Sequence, residues 1–120
     1  MWLMTPFGFF SIVCATGKGG KPHPGLRMVR ARKRTHLQEL RARHPDLPAI
    51  KTTKRTDYPY RIIVAREQVA VIMLALADDL DYTNFKAEAK VVSPNDDAYI
   101  NFLHTVWGNG LRLTPPTATQ

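Results

Sequence analysis

The apolar residues of this chain change their spacing along its length, from strand-like in the N-terminal half to helix-like in the C-terminal half. Residues 7–14 are mostly aromatic or β-branched, which predicts a β-strand, and we interpret the whole weakly charged start of the chain, residues 1–15, as strand. A loop rich in Gly and Pro spans residues 16–25. Residues 26–33 then alternate as a second strand, and residues 58–64 predict a third, with Pro59 favouring an edge or a strand start.

Helical spacing dominates from Glu67 onward. Residues 67–80 carry one apolar stripe and give the clearest helix of the chain; the stripe is Val69, Ile72, Met73, Leu76 and Leu80. A shorter helix over residues 85–91 is predicted to be capped by Asp81, and a last helix to start at Ser93-Pro94 and to stop at Gly108-Asn109-Gly110. An additional short helix between the second and third strands begins with Thr35 and Gln38 in a capping-box pattern.

This order of elements predicts an α+β fold with a small antiparallel three-stranded sheet in the order 2-1-3 and helices packed on one face. The order follows from treating the first helix as a crossover, which makes the third strand parallel to the second and places the first strand between them. We expect a single domain over residues 1–113 and a flexible tail over residues 114–120.

Charge is distributed unevenly along the chain, whose net charge is +7. Residues 18–66 hold 14 of the 17 basic residues and three acids, whereas residues 67–120 hold seven acids and three bases. Such a gradient favours an acidic partner or a contact between copies of the chain, although a solvated basic surface explains it equally well.

Two kinds of side chain are expected on the outer face of the sheet. If Phe10 and Ile12 face the helices, Phe9 and Val13 face outward and are candidate partner contacts. Should Arg30 and Arg32 face the same way, rings and guanidinium groups would share one surface, as in proteins that bind single-stranded nucleic acid. The candidate contacts for nucleic acid or an acidic partner are Arg27, Arg30, Arg32, Lys33 and Arg34.

No pattern in the sequence matches a known catalytic or metal-binding arrangement. The Gly-Lys segment at residues 17–21 lacks phosphate-loop spacing, and residues 79–90 lack the Gly and Glu of a calcium loop. We interpret the four histidines as surface residues, Cys14 as a buried strand thiol, and the acids near residue 80 as a solvated junction. We therefore predict no metal and no cofactor. Because we find no catalytic arrangement of residues, the sequence disfavours an enzyme.

The chain is expected to be cytoplasmic and not bound to a membrane. Its apolar start has no preceding basic residue, is interrupted by Pro6 and Gly8, and is too short to span a bilayer. The single cysteine fits a reducing compartment, although secreted proteins without disulfides exist.

The chain resembles a family of short bacterial proteins that begin Met-Trp-Leu or Met-Trp-Ile and have no established activity. The resemblance covers residues 1 to about 107 and excludes the loop at residues 18–25 and the segment after Gly110. It rests on Met1-Trp2-Leu3, Phe9-Phe10-Ser11, Val29-Arg30-Ala31-Arg32, Asp57-Tyr58-Pro59-Tyr60-Arg61, Asp81-Tyr82-Thr83-Asn84-Phe85-Lys86 and Val106-Trp107. It supports the expected fold and implies no function.

Two functions remain open from the sequence. One is a non-enzymatic protein-interaction or homo-oligomeric module whose partner covers Phe9 and Val13, because an apolar outer sheet face usually needs covering. The alternative is a basic nucleic-acid-binding protein that uses the sheet and hairpin arginines. Of the two functions, we rank the interaction module slightly higher.

Overall fold

A computed structural model describes residues 1–118 and contains a five-stranded sheet and four α-helices within that range. The strands are β1 (Trp2–Thr5), β2 (Gly8–Thr16), β3 (Pro22–Ala31), β4 (Lys51–Thr52) and β5 (Tyr60–Ala65). The helices are α1 (Arg34–Arg43), α2 (Arg66–Asp78), α3 (Phe85–Val92) and α4 (Asp97–Gly110). The backbone forms two compact units, one from Met1 to Asp81 and the other from Tyr82 onward. Of the expected tail, Thr119 and Gln120 lie outside the described residues.

The sheet confirms the α+β class and corrects the strand order. Its order is β1-β2-β3-β5-β4 with every neighbouring pair antiparallel, so the three-stranded order 2-1-3 is wrong. The crossover through α1 leads to the short strand β4, which the sequence analysis missed and which runs parallel to β3. The chain then turns back, and β5 enters the sheet between β3 and β4. This additional reversal makes the predicted third strand antiparallel to the second.

The apolar start of the chain is a tight hairpin of two strands. Thr5 pairs with Gly8, so Pro6 and Phe7 form the turn between β1 and β2. The Thr5 hydroxyl donates to the Gly8 carbonyl at 2.9 Å and accepts from the Phe7 amide at 3.3 Å. Because Pro fixes φ and the threonine side chain satisfies turn backbone groups, the interruption at residues 5–8 reverses the chain.

One face of the sheet packs against α1 and α2 and forms the core of the first unit. Ile12, Val29 and Ile62 lie directly opposite one another on three adjacent strands and are all buried. Leu37 and Leu40 of α1 and Ile72 of α2 join the same cluster. The apolar stripe of α2 is buried only at Ile72; Val69 and Leu76 are half-buried, and Met73 and Leu80 are exposed.

The helix starts differ from the predicted caps. The N-terminal boundary of α1 is Lys33, with no side-chain cap, so the capping box at Thr35 is wrong. The Asn84 side chain, in place of Asp81, caps α3 by accepting from the Ala87 amide at 3.0 Å. Asp96, in place of Ser93, caps α4 by accepting from the Tyr99 amide at 3.2 Å.

The second unit is a pair of packed helices, α3 and α4. Ala89, Tyr99 and Leu103 are buried, and the Tyr99 ring stacks on Phe102 with centroids 6.3 Å apart. The Lys86 ammonium lies 3.9 Å from the centroid of the Trp107 ring, a cation–π contact that joins the two helices.

Candidate functional site

The strand register fixes which side chains lie on the sheet face away from α1 and α2. Phe10 and Ile12 belong to the core cluster, so Phe9, Ser11 and Val13 lie on the other face, as the alternation of β2 predicts. Directly opposite Ser11 is Arg30 of β3, which therefore shares that face. We call this surface the cationic face.

Three cations lie side by side across the cationic face. Arg30 on β3 is directly opposite Arg61 on β5, and Arg61 is directly opposite Lys51 on β4. We call these three residues the cationic row. None of them forms an ion pair with another residue of the described chain. Like charges placed directly opposite on neighbouring strands are destabilising, so the row concentrates positive charge without internal compensation.

The Arg30 guanidinium is held in place by its neighbours. Its Nη2 donates to the Ser11 hydroxyl at 2.7 Å, and its central carbon lies 4.6 Å from the centroid of the Tyr58 ring. The Arg32 guanidinium lies 4.8 Å from the same centroid. Two cations therefore share one aromatic ring, which the loop before β5 brings onto the sheet.

Arg61 is fixed by the same loop. Its Nη2 donates to the Tyr58 carbonyl at 3.1 Å, and its Nη1 contacts the Met28 sulfur at 3.6 Å. The Nε atoms of Arg30 and Arg61 are both buried and make no hydrogen bond within the described chain. Because these Nε atoms are buried, an anion on this face would meet only the terminal nitrogens of the two guanidinium groups.

The aromatic part of the face ends in an exposed tryptophan. Phe9 contacts Trp2 at a centroid distance of 5.9 Å and Tyr58 at 6.3 Å, and is itself only 6% exposed. Trp2 lies directly opposite Ser11 and is 69% exposed, and Val13 is 36% exposed. The ring exposed on this face is therefore that of Trp2, whereas the Phe9 ring is buried and contacts it at nearly a right angle.

The other basic residues singled out from the sequence are dispersed. Arg27 lies on the opposite face, beside Val64, and donates to the carbonyls of His23 and Pro24 at 3.3 Å. Lys33 stands at the start of α1, and Arg34 is exposed, with its Nη1 3.4 Å from the Thr52 hydroxyl. Of the five candidates, the structure brings together Arg30 and Arg32.

Four contributors to the surface were missed from the sequence: Trp2, Lys51, Tyr58 and Arg61. Alternation around Ile62 was a usable signal for Arg61, since a buried residue at 62 puts its neighbour on the other face. Lys51 and Tyr58 gave no such signal, because β4 has only two residues and Tyr58 lies in a loop.

Two interpretations of single residues are corrected by the structure. His36 is 4% exposed, and its Nδ1 accepts from the Phe9 amide at 3.2 Å, so it is not a surface histidine. Cys14 is exposed near the end of β2 and is not a buried thiol. Alternation places it on the same face as Ile12, but it lies outside the core cluster to which Phe10 and Ile12 belong.

A groove of about 410 Å³ lies between the end of α1 and the start of α2. Its polar groups are engaged locally: Arg43 pairs with Glu39 at 2.8 Å, and the Gln68 side chain accepts from the Ala65 amide at 3.1 Å. The pKa of Glu67 is lowered by its own backbone amide and by Arg66. Within residues 1–118, no three His, Cys, Asp or Glu side chains are grouped so that they could hold a metal ion.

Comparisons with known proteins add no assignment. The chain matches no protein-family model, no curated protein and no solved structure. None of the helices in the described range is both long and apolar enough to cross a membrane. The cationic row and the exposed Trp2 are the features from which a function can be argued.

Proposed function

We propose that the cationic face binds single-stranded nucleic acid. The observation that carries the proposal is the cationic row, which forms no ion pair within residues 1–118 and lies on the same face as the exposed Trp2. Phosphates would bind the row, and an unstacked base would lie on the Trp2 ring. This combination of an aromatic platform and a basic track is how many proteins bind single strands without reading sequence.

Geometry supports a ligand that runs across the β-strands. Trp2, Ser11, Arg30, Arg61 and Lys51 lie directly opposite one another on successive strands of the sheet. Neighbouring β-strands are about 4.8 Å apart, so the backbone positions of Arg30 and Lys51 are about 10 Å apart. The backbone positions of Trp2 and Lys51 are about 19 Å apart. A short, extended single-stranded oligonucleotide can contact all of these residues, whereas the bases of a duplex are not free to stack on Trp2.

A homo-oligomer that covers this face is less well supported. Two copies stacked face to face would bring one cationic row against the other, which is repulsive at the distances of a packed interface. Phe9, which was expected to need a partner, is covered by Trp2 and Tyr58 of its own chain. The protein-interaction hypothesis therefore loses one of its two proposed contacts and keeps Val13.

The test is fluorescence anisotropy with a labelled pyrimidine oligonucleotide at increasing salt concentration. Three phosphate contacts predict that the logarithm of the binding constant falls with the logarithm of salt concentration with a slope of about −2. Arg61→Gln and Lys51→Gln should each weaken binding and reduce the steepness of the slope by about 0.7.

Arg27→Gln is the matched control, because it removes the same charge from the opposite face. Its affinity should stay close to that of the unmodified protein, and near-ultraviolet circular dichroism should show that each variant is folded. No binding at low salt concentration would reject the proposal. Equal losses in the Arg27 and Arg61 variants would reduce it to a nonspecific effect of net charge.

A further inference from the structure

The two edges of the sheet differ in how they are protected against pairing. The β4 edge has two residues, includes Lys51, and is followed by Lys54 and Arg55. Short edges and lysines are common devices that prevent a strand from pairing with another molecule. The β1 edge has four residues, Trp-Leu-Met-Thr, and none is charged or a proline.

The hydrogen bonds of β1 show which of its backbone groups face outward. Met1 and Ile12 exchange both bonds, with the Ile12 amide 2.8 Å from the Met1 carbonyl and the Met1 amine 2.9 Å from the Ile12 carbonyl. Bonded and non-bonded pairs alternate along an antiparallel ladder, so Leu3 also bonds to β2. The amides and carbonyls of Trp2 and Met4 therefore point away from β2, and among residues 1–118 only β2 pairs with β1.

We infer that β1 pairs with β1 of a second copy of this chain, antiparallel and about a two-fold axis, to make one continuous sheet. In the register centred on Leu3, Trp2 lies opposite Met4 of the second copy and exchanges both hydrogen bonds with it. The two-fold axis repeats this pair, so the outward amides and carbonyls of Trp2 and Met4 are hydrogen-bonded in both copies. The inference does not depend on the proposed nucleic-acid binding.

Side chains on both faces fit a second copy in that register. On the cationic face each Trp2 ring meets the Met4 thioether of the other copy, a favourable sulfur–aromatic pair. On the other face the two Leu3 side chains meet at a close, non-bonded pair. Leu3 is half-buried and packs against the core cluster that contains Ile72, so the second Leu3 would add apolar contact at the exposed part of its side chain.

Charge does not oppose this arrangement as it opposes face-to-face stacking. The four residues of β1 carry no charged side chain, and Arg30 is two strands away from β1, about 10 Å at ordinary strand spacing. Across the two-fold axis the nearest row residues are about 20 Å or more apart, which exceeds the Debye length of about 8 Å at physiological salt. The two cationic rows then lie end to end on one face.

The test compares the association of the full chain and two variants at Met4 by sedimentation equilibrium. Met4→Pro removes an outward amide without removing a bond between β1 and β2, and proline is tolerated at sheet edges. We expect a concentration-dependent dimer for the unmodified protein and association weakened at least about tenfold in Met4→Pro. Met4→Leu keeps the amide and a similar volume, and its association should change by less than about threefold.

Hydrogen exchange of the unmodified protein gives a second measurement that does not depend on folding of a variant. Protection of the Trp2 and Met4 amides should increase with protein concentration, while the Leu3 amide is already protected by β2. A strict monomer at every concentration would overturn the inference and leave the edge to a segment of a different protein. A dimer whose Trp2 and Met4 amides remain unprotected would also overturn it.

Discussion

Gly8 of β2 lies close against His36 of α1. A Cβ atom at this position would stand 2.7 Å from both Cβ and Cγ of His36, closer than carbon atoms can pack. The close approach lets the His36 Nδ1 reach the Phe9 amide, which satisfies a buried donor at the start of β2. Glycine is thus required at position 8 by space between strand and helix.

Replacement of Gly8 by alanine is expected to destabilise the first unit. The added methyl group must push the His36 ring and α1 away from β2, and overpacking of this kind costs about 1–3 kcal/mol. Gly25→Ala is the control, because its Cβ would meet only the His23 ring at ordinary contact distances of 3.7 and 3.8 Å. Urea denaturation should show a lower free energy of unfolding for the Gly8 variant and little change for Gly25; equal effects would contradict the steric argument.

Part of the cationic face was predictable at the level of single residues. Alternation correctly separates Phe9 from Phe10, because a strand places successive side chains on opposite faces. Whether Arg30 shares the face of Phe9 depends on the register between β2 and β3, and a one-residue slip would reverse it. The loop between those strands does not determine that register, and the position of Tyr58 depends on tertiary contacts with Phe9 and Arg30.

The helix starts show how local signals compete at the scale of elements. Asp81 and Asn84 are both good capping residues three positions apart, and the sequence rules favour either. The structure uses Asn84, whose side chain accepts from the Ala87 amide while the Asn84 carbonyl accepts from the Glu88 amide at 3.1 Å. The helices themselves were predictable from their apolar spacing, but their first residues were not.

Asn84→Ala is expected to weaken the first turn of α3. Loss of a capping side chain costs about 0.5–2 kcal/mol, because an amide of the first turn loses its acceptor. Amide exchange at Ala87 should become faster in this variant, whereas Asp81→Ala should leave it close to the original rate. Faster exchange in the Asp81 variant alone would show that the cap has been assigned to the wrong residue.

The missed strand β4 had the largest effect on the predicted topology. Lys51 and Thr52 are too few to show alternation, and both are exposed. Yet the chain enters this strand after α1 and then turns back to form an antiparallel pair with β5. This reversal makes β5 antiparallel to β3. The crossover from β3 through α1 therefore leads to β4, which the sequence pattern does not reveal, and not to β5.

At the scale of the whole molecule, the two units differ in net charge. Residues 1–81 contain 14 bases and seven acids, whereas residues 82–120 contain three of each. The net charge therefore belongs entirely to the unit that contains the sheet. The charge of the sequence changes sign near Glu67, but α2 with its acidic end belongs to the basic unit. The proposed attraction of a polyanion would therefore act through this unit.

The position of β5 in the sheet also bears on the order in which contacts form. Ile12 and Val29 are closer in sequence than Val29 and Ile62, although the three side chains are neighbours in one buried row. Loop closure costs more entropy for the more distant pair, so the β1-β2-β3 meander is expected to form before β5 docks. We therefore expect Ile12→Val to slow refolding and Ile62→Val mainly to speed unfolding.

Stopped-flow Trp2 fluorescence in a Trp107→Phe background would measure both rates, and equal slowing of refolding by the two variants would contradict this order.

The late docking of β5 has a consequence for synthesis of the protein. Until residues 60–65 have left the ribosome, β3 has one unpaired edge that carries Val29 and Met28. During that interval the nascent chain has its greatest risk of pairing with another polypeptide.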